Sequence, residues 1–426
     1  MSQQSKELRH DSHARAWPLY GAAFMMAISL SMAWTAMPFV LTWMGGDERH
    51  VGYAPAVNTL AYMIALLVTG ARFGRLRVRR TTLWAATVAL LATAMMSFCV
   101  LWAELHADAN ERTWVWTLII AGGVGGAAMA LYWPFLMSWV SADYEGVRLN
   151  RRFGRYNGAW SGGGTIGPLI GGWLFEVNAV LPLLAAVVFV LLSLLLLSFG
   201  RDGSAGVRIV EAGLKPAPTY DMRLLADCRW MSRVALFSVC ASYAILRSQF
   251  ALVFRDLGYT ESQFGMYLTI YALCNFAALV AAGRWALWHF KPALLLVSQA
   301  LLLVTLLLTI YGKTLSIFLV SSVFLGAAYG FAYCSHLYYG ASASRRRSAR
   351  MAIHEIVISL GLTIGSFTGG YLAEHVGLYA PYWFAVGLVG LGAGAQMVIH
   401  VASRARAGVG MAASAPAAGN AKMVEP

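Results

Sequence analysis

Apolar residues fill this chain in long runs, and short polar clusters separate one run from the next. About 20 such residues cover a hydrocarbon core of roughly 30 Å at 1.5 Å per residue, so each run predicts a helix that crosses a membrane. Twelve runs reach that length: Trp17–Trp43, Gly52–Gly70, Thr82–Trp102, Trp114–Val140, Phe153–Phe175, Val180–Phe199, Val234–Phe254, Gln263–Ala282, Pro292–Tyr311, Leu315–Tyr339, Met351–Leu372 and Tyr379–Val401. The longest polar stretch between them, at 200–233, divides the series into two sets of six. The pattern therefore predicts an all-α membrane protein of twelve transmembrane helices in two pseudo-symmetric six-helix bundles, 17–199 and 234–402. Residues 1–16 form an N-terminal extension, 200–233 a linker, and 403–426 an Ala- and Gly-rich tail without apolar periodicity that is expected to be disordered.

Composition agrees: of the 426 residues, 59% are hydrophobic and only 12% charged, against roughly 25% charged in an ordinary soluble domain. A net charge of +13 raises the question of nucleic acid, and the distribution of the cations answers it. The cations cluster in alternate loops and at the termini, whereas the opposite loops hold only Arg49, Arg112, Arg255 and Lys313. This is the positive-inside pattern of an integral membrane protein of the plasma (inner, or cytoplasmic) membrane with both ends in the cytoplasm. The basic residues before the first span imitate a signal peptide, but the apolar run is too long and no small-residue cleavage site follows. Cys99, Cys228, Cys240, Cys274 and Cys334 are scattered without metal-ligand spacing. No metal, phosphate loop or catalytic triad is legible, so neither a cofactor nor an enzyme is expected.

The two sets of spans repeat one another. "GTIGPLIGGWLFE" (164–176) aligns with "LTIGSFTGGYLAE" (362–374), and "GAAMALYW" (126–133) with "GAAYGFAY" (326–333). A parallel six-plus-six repeat is a transporter plan with its solute site near the midplane between halves. In the fifth span, "GRYNGAWSGGGTIGPLIGGWLFE" (154–176) contains Gly162, Gly164 and Gly167 at dinucleotide-loop spacing, but no strand precedes them and no acid follows at the required distance. Helical spacing explains the glycines better. Gly154, Gly158 and Gly162 form one stripe and Gly163, Gly167 and Gly171 another, each open to close helix approach, and Pro168 predicts a kink.

At Gly154, Gly163, Gly167, Pro168, Gly171 and Gly172 the chain resembles the major facilitator superfamily, matching its fifth-span motif G-x8-G-x3-G-P-x2-G-G without a gap. The eleventh span keeps Gly361, Gly365, Gly369 and Gly370, with Ser366 in place of the proline and Ala352 in place of the first glycine. In that family the motif accompanies exporters that exchange solute for protons, so the resemblance implies efflux by antiport. Departures exist: "GARFGRLRVRR" after the second span has Gly74 where the family carries an aspartate, and the fourth span lacks the arginine of drug–proton antiporters.

A charge at membrane depth costs about 2.5 kcal/mol or more and marks a functional candidate. Arg247 lies inside the seventh span, where it would attract an anionic group or pair with an acid. His354 and Glu355 open the eleventh span opposite Tyr156 and Asn157 of the repeat; Glu355 suits a proton-coupling site, or an ion pair with Arg345, Arg346, Arg347 and Arg350. Trp34, Trp133, Tyr243, Gln249, Asn275 and Tyr333, with Tyr132, Trp160, Tyr271, Tyr329 and His336, offer aromatic and polar surface to a cavity. The expected partners are a small-molecule solute, protons and the lipid bilayer, with no nucleic acid, and a functional monomer. Three readings follow from these residues: proton-coupled efflux, uptake of an organic anion or other small solute, and a sensor or assembly factor that kept the fold without transport.

Overall fold

The computed structural model describes residues 16–70, 76–106, 111–141, 146–200, 221–342 and 347–414. Among them twelve long helices account for the expected spans: α1 (Trp17–Trp43), α2 (Glu48–Gly70), α3 (Val78–Leu105), α4 (Glu111–Ser141), α5 (Gly146–Val177), α6 (Leu181–Ser198), α7 (Met222–Asp256), α8 (Glu261–Arg284), α9 (Pro292–Tyr311), α10 (Leu315–Ala341), α11 (Arg347–His375) and α12 (Ala380–Ser414). Helix α7 is interrupted once, at Gln249, between Ser248 and Phe250. Eleven of the helices are long and apolar enough to cross a membrane; the exception is α5, where glycines and polar residues replace the aliphatic side chains that fill the others.

Helix pairing repeats with a period of six helices. Helix α1 packs on α5 and α6 as α7 packs on α11 and α12, and α4 takes α2 and α3 as α10 takes α8 and α9. Between the halves the main contacts are α2 with α11 and α5 with α8, which are again equivalents. The equivalence extends to turns: Gly45 after α1 and Gly258 after α7 take the left-handed φ values of 79° and 78° that close a short turn without a Cβ clash.

Two ends of the molecule can be distinguished. The short-loop end carries the α1–α2, α5–α6, α7–α8 and α11–α12 turns; the opposite, or terminal, end carries the start of α1 and the start of α7. At the short-loop end the cores of the halves are shared. Phe39 of α1 joins a buried cluster otherwise made by the C-terminal half, and Leu252 of α7 joins one otherwise made by the N-terminal half. At the terminal end each half keeps its own cluster, around Tyr132 and Trp139 in one and around Leu225 and Tyr339 in the other. Among the described residues the buried clusters of the halves are thus shared at one end and separate at the other.

Three expectations are corrected. Helix α12 continues to Ser414, so residues 403–414 of the expected disordered tail are helical, and 415–426 lie outside the described residues. Helix α7 starts at Met222, inside the expected linker; 201–220 lie outside the described residues, as do 1–15. Of the two glycine stripes on α5, only one is a contact. Gly163, Gly167 and Gly171 press on α1, where a Cβ at Gly167 would meet Ser31 Oγ and lie 2.7 Å from the Ile28 carbonyl, while Gly154 and Gly158 have open space around them. A side chain of α1 also bonds to the 163–171 stripe, as Ser31 turns its hydroxyl onto the Gly163 carbonyl at 3.3 Å.

Candidate functional site

The seam between α2 and α11 is built from small residues at one end and polar ones toward the other. Gly52 and Gly370 meet backbone to backbone, so that a Cβ on Gly52 would lie 2.6 Å from the Gly370 Cα. Tyr53 then stacks on Phe367 with centroids 5.1 Å apart, and the hydroxyls of Thr59 and Thr363 share a hydrogen bond of 2.8 Å. Furthest toward the terminal end, the Tyr62 hydroxyl donates to Glu355 Oε2 at 3.2 Å. The single carboxylate expected inside a span therefore bonds across the two halves, about 12 Å along α11 from its first residue. Tyr156 and Tyr333 lie within electrostatic reach of it. Arg345 and Arg346, the alternative partners, lie outside the described residues, and of Arg347 and Arg350 only the backbone is described.

The seam between α5 and α8 mirrors this arrangement. Gly172 meets the backbone of Glu261, Gly265 meets the Pro168 carbonyl, and the Thr269 hydroxyl donates to the Thr165 carbonyl at 3.1 Å. Both seams end in a glutamate of the repeated motif. Glu176 accepts the backbone N–H of Ser262 at 2.9 Å in the first turn of α8, and Glu374 pairs with Arg49 at 3.5 Å in the first turn of α2. Each half closes on the first helical turn of the other. Arg255 adds a third tie by donating to the Thr42 hydroxyl at 2.8 Å.

Inside the C-terminal half, three tyrosines from three helices pack on one another. Tyr243 of α7 stacks on Tyr271 of α8 at 4.6 Å and meets Tyr329 of α10 edge-on at 5.3 Å; Tyr333 continues the row one turn along α10, with near-parallel rings at 6.4 Å. The Cys240 thiol donates to the Tyr329 hydroxyl at 3.7 Å. Arg247, one turn beyond Tyr243, places its guanidinium 5.9 Å from that ring. It has neither a hydrogen bond nor an ion-pair partner among the described residues.

Other expected site residues sit elsewhere. Gln249 is fully buried at the α7 interruption and donates to the Glu48 carbonyl at 3.4 Å, so it belongs to the closed short-loop end rather than to a cavity. His354 turns away from Glu355 and into the C-terminal bundle, where its Nδ1 lies 2.8 Å from His336 Nδ1 and both rings are buried. Asn157 is exposed and accepts from Trp160 Nε1 at 3.3 Å. Trp34 rests against Gly122 of α4, and Trp133 packs edge-on to Tyr132 at 5.0 Å, both within the N-terminal half. Asn275 borders the tyrosine group on α8 with a buried carbonyl oxygen that has no hydrogen-bond partner among the described residues. Tyr62 was not among the expected residues. Its signal is positional, because Gly52, Thr59 and Tyr62 recur at helical spacing on one face of α2.

Two similar six-helix bundles, meeting along two equivalent seams with a carboxylate and a cation in the interior, define a secondary-transporter architecture. The chain belongs to the Major Facilitator Superfamily, whose family model matches residues 19–247 and 233–418; it is an integral membrane protein and a transporter of that type. Multidrug resistance protein 1 of Bacillus subtilis (strain 168) is 25% identical over 281 residues, which cover 65% of this chain and 71% of that protein. Among solved structures, a POT family transporter in complex with a thioalcohol-conjugated peptide superposes with a TM-score of 0.68 at 14% identity, covering 91% of this chain and 95% of the other. The human organic anion transporter MFSD10 (TETRAN) superposes with a TM-score of 0.59 at 15% identity, covering 90% and 99%. At these identities the structural likeness shows the fold alone.

Proposed function

We propose that this protein exports a small solute from the cytoplasm in exchange for protons, with Glu355 as the proton-carrying group. The observation that carries the reading is the Tyr62–Glu355 hydrogen bond, which ties the two halves inside the α2–α11 seam through a carboxylate whose charge a proton can remove. An ionised carboxylate accepts a hydroxyl about twice as strongly as a neutral one does. Loading Glu355 with a proton therefore weakens the contact between halves and couples protonation to their relative position. The glycine–proline motif of α5 and the similarity to a multidrug resistance protein support the outward direction.

The basic terminal end faces the cytoplasm of a cell whose inner membrane holds the protein, which makes the arrangement with separate terminal-end cores the inward-facing one. A single chain is the working unit. In proteoliposomes with an imposed pH gradient, Glu355→Gln is expected to abolish proton-driven flux while leaving solute–solute exchange; proton-driven flux at the normal rate in that variant overturns the role of Glu355. A membrane sensor on the same fold would show no flux of any solute under any gradient. A second reading, uptake of an organic anion, is favoured by Arg247, which has no carboxylate partner among the described residues; solute moving along an imposed proton gradient rather than against it separates this reading from proton exchange.

A further inference from the structure

The tyrosine group beside Arg247 has the composition of a binding site that the proton chemistry of Glu355 does not use. Helix α7 is buried along most of its length, and Arg247 and Tyr243 are two of its partly exposed residues. A guanidinium at membrane depth is costly when left without a counter-charge, and here it has no carboxylate partner among the described residues. Aromatic cages of this kind also suit cations. In this one the cationic place over Tyr243 is already filled by Arg247 at 5.9 Å, and a second cation would be repelled by the first. What remains favourable is an anion on the guanidinium with a flat apolar body against the partly exposed rings of Tyr243 and Tyr329, with the buried Tyr271 backing Tyr243 by stacking on it.

We infer that Arg247 and the Tyr243–Tyr271–Tyr329 group bind a planar aromatic molecule carrying one negative group. This rests on the transporter reading above and names its solute class. The test is equilibrium binding to the purified full-length chain in detergent, with 2-naphthoate as the probe and 2-naphthalenemethanol, 2-naphthylmethylammonium and acetate as controls for charge, sign and ring. The naphthoate is expected to bind at least tenfold more tightly than each control. Arg247→Lys should weaken it several-fold and Arg247→Met, which keeps the apolar stem, by thirtyfold or more, and Tyr243→Ala should weaken naphthoate while leaving acetate unchanged. Variants are compared only where thermal unfolding matches the parent within a few degrees, with Arg247→Gln as the replacement if the methionine variant fails to fold. Equal naphthoate affinity in parent and Arg247 variants overturns the inference, as does tighter binding of the ammonium probe. Failure here with Glu355-dependent flux of some other solute leaves the transport reading standing; naphthoate binding that needs Arg247, without flux under any gradient, supports the site and overturns transport.

Discussion

Asp47 shows what single side chains do at the closed end. It precedes α2, accepts the backbone N–H of His50 at 3.2 Å and the Arg49 guanidinium at 2.6 Å, and lies 2.6 Å from His50 Nδ1. Partial burial works against its charge, but the Arg49 hydrogen bond, the His50 N–H and the neighbouring imidazole outweigh it and hold the carboxyl down at about 2. A depressed folded-state value means that the contribution is complete above the ordinary carboxyl range near 3.8 and disappears as pH falls through about 2. Asp47→Ala is therefore expected to cost about 1 kcal/mol at neutral pH, the usual worth of a helix cap. Thermal unfolding of parent and variant should converge as the pH is lowered toward 2, whereas a constant difference would show that the carboxylate charge is not involved. Residues such as Arg247 and Glu355 were legible in the sequence because charge in an apolar run stands out. Tyr62 and the His336–His354 pair were not, because a tyrosine or histidine gains its meaning only from the helix it faces.

Close helix approach was legible as glycine spacing, but its location was not. Both stripes on α5 satisfy the same i, i+4 rule, and only packing against α1 separates Gly163, Gly167 and Gly171 from Gly154 and Gly158. Gly154→Ala and Gly158→Ala are accordingly expected to be neutral or to raise helix stability by up to about 1 kcal/mol. Gly167→Ala, facing Ser31 and the Ile28 carbonyl, should destabilise by about 1–3 kcal/mol through overpacking. In the other half Gly365→Ala should behave like Gly167→Ala, since its Cβ would meet the Ala241 carbonyl of α7. Melting temperatures of the four variants decide this, and an equal effect of Gly154 and Gly167 substitution would count against it. The interruption of α7 at Gln249 follows the polar run Arg247, Ser248 and Gln249 within an otherwise apolar stretch, which by itself does not predict a break. It comes from tertiary contact, with Gln249 turned to the first residue of α2.

For the whole molecule, that the spans are helices follows from the requirement that every backbone polar group in lipid bond within its own helix, and their two-fold repeat was legible in the matched segments 164–176 and 362–374. Which end is closed does not follow, since the proposed transport cycle requires one sequence to encode two arrangements. The closed end rests on Glu176 and Glu374, the matched acids of the repeat, each held in the first turn of a helix from the opposite half. Replacing both with alanine is expected to shift the population toward opening at the short-loop end. A cysteine placed at Thr59 should then react several-fold faster with an impermeant maleimide added from outside, while either single replacement gives a smaller effect; unchanged labelling of the double variant would show that the glycine contacts alone hold the closure.

The glycines that allow α5 to lie against α1 and α8 also leave it the one of the twelve helices that does not qualify as a span by its own composition. Such a segment partitions poorly into lipid by itself when it leaves the ribosome. Its successor α6, Leu181–Ser198, has a mean hydropathy of 2.8 in its best window and follows after a turn of three residues. The two are expected to enter the bilayer as a hairpin, so that a chain truncated just after Val177 and tagged there with a glycosylation or protease reporter integrates inefficiently, while one ending after Ser198 integrates fully. Close packing in the finished transporter is thereby linked to a dependence on chain order during its synthesis.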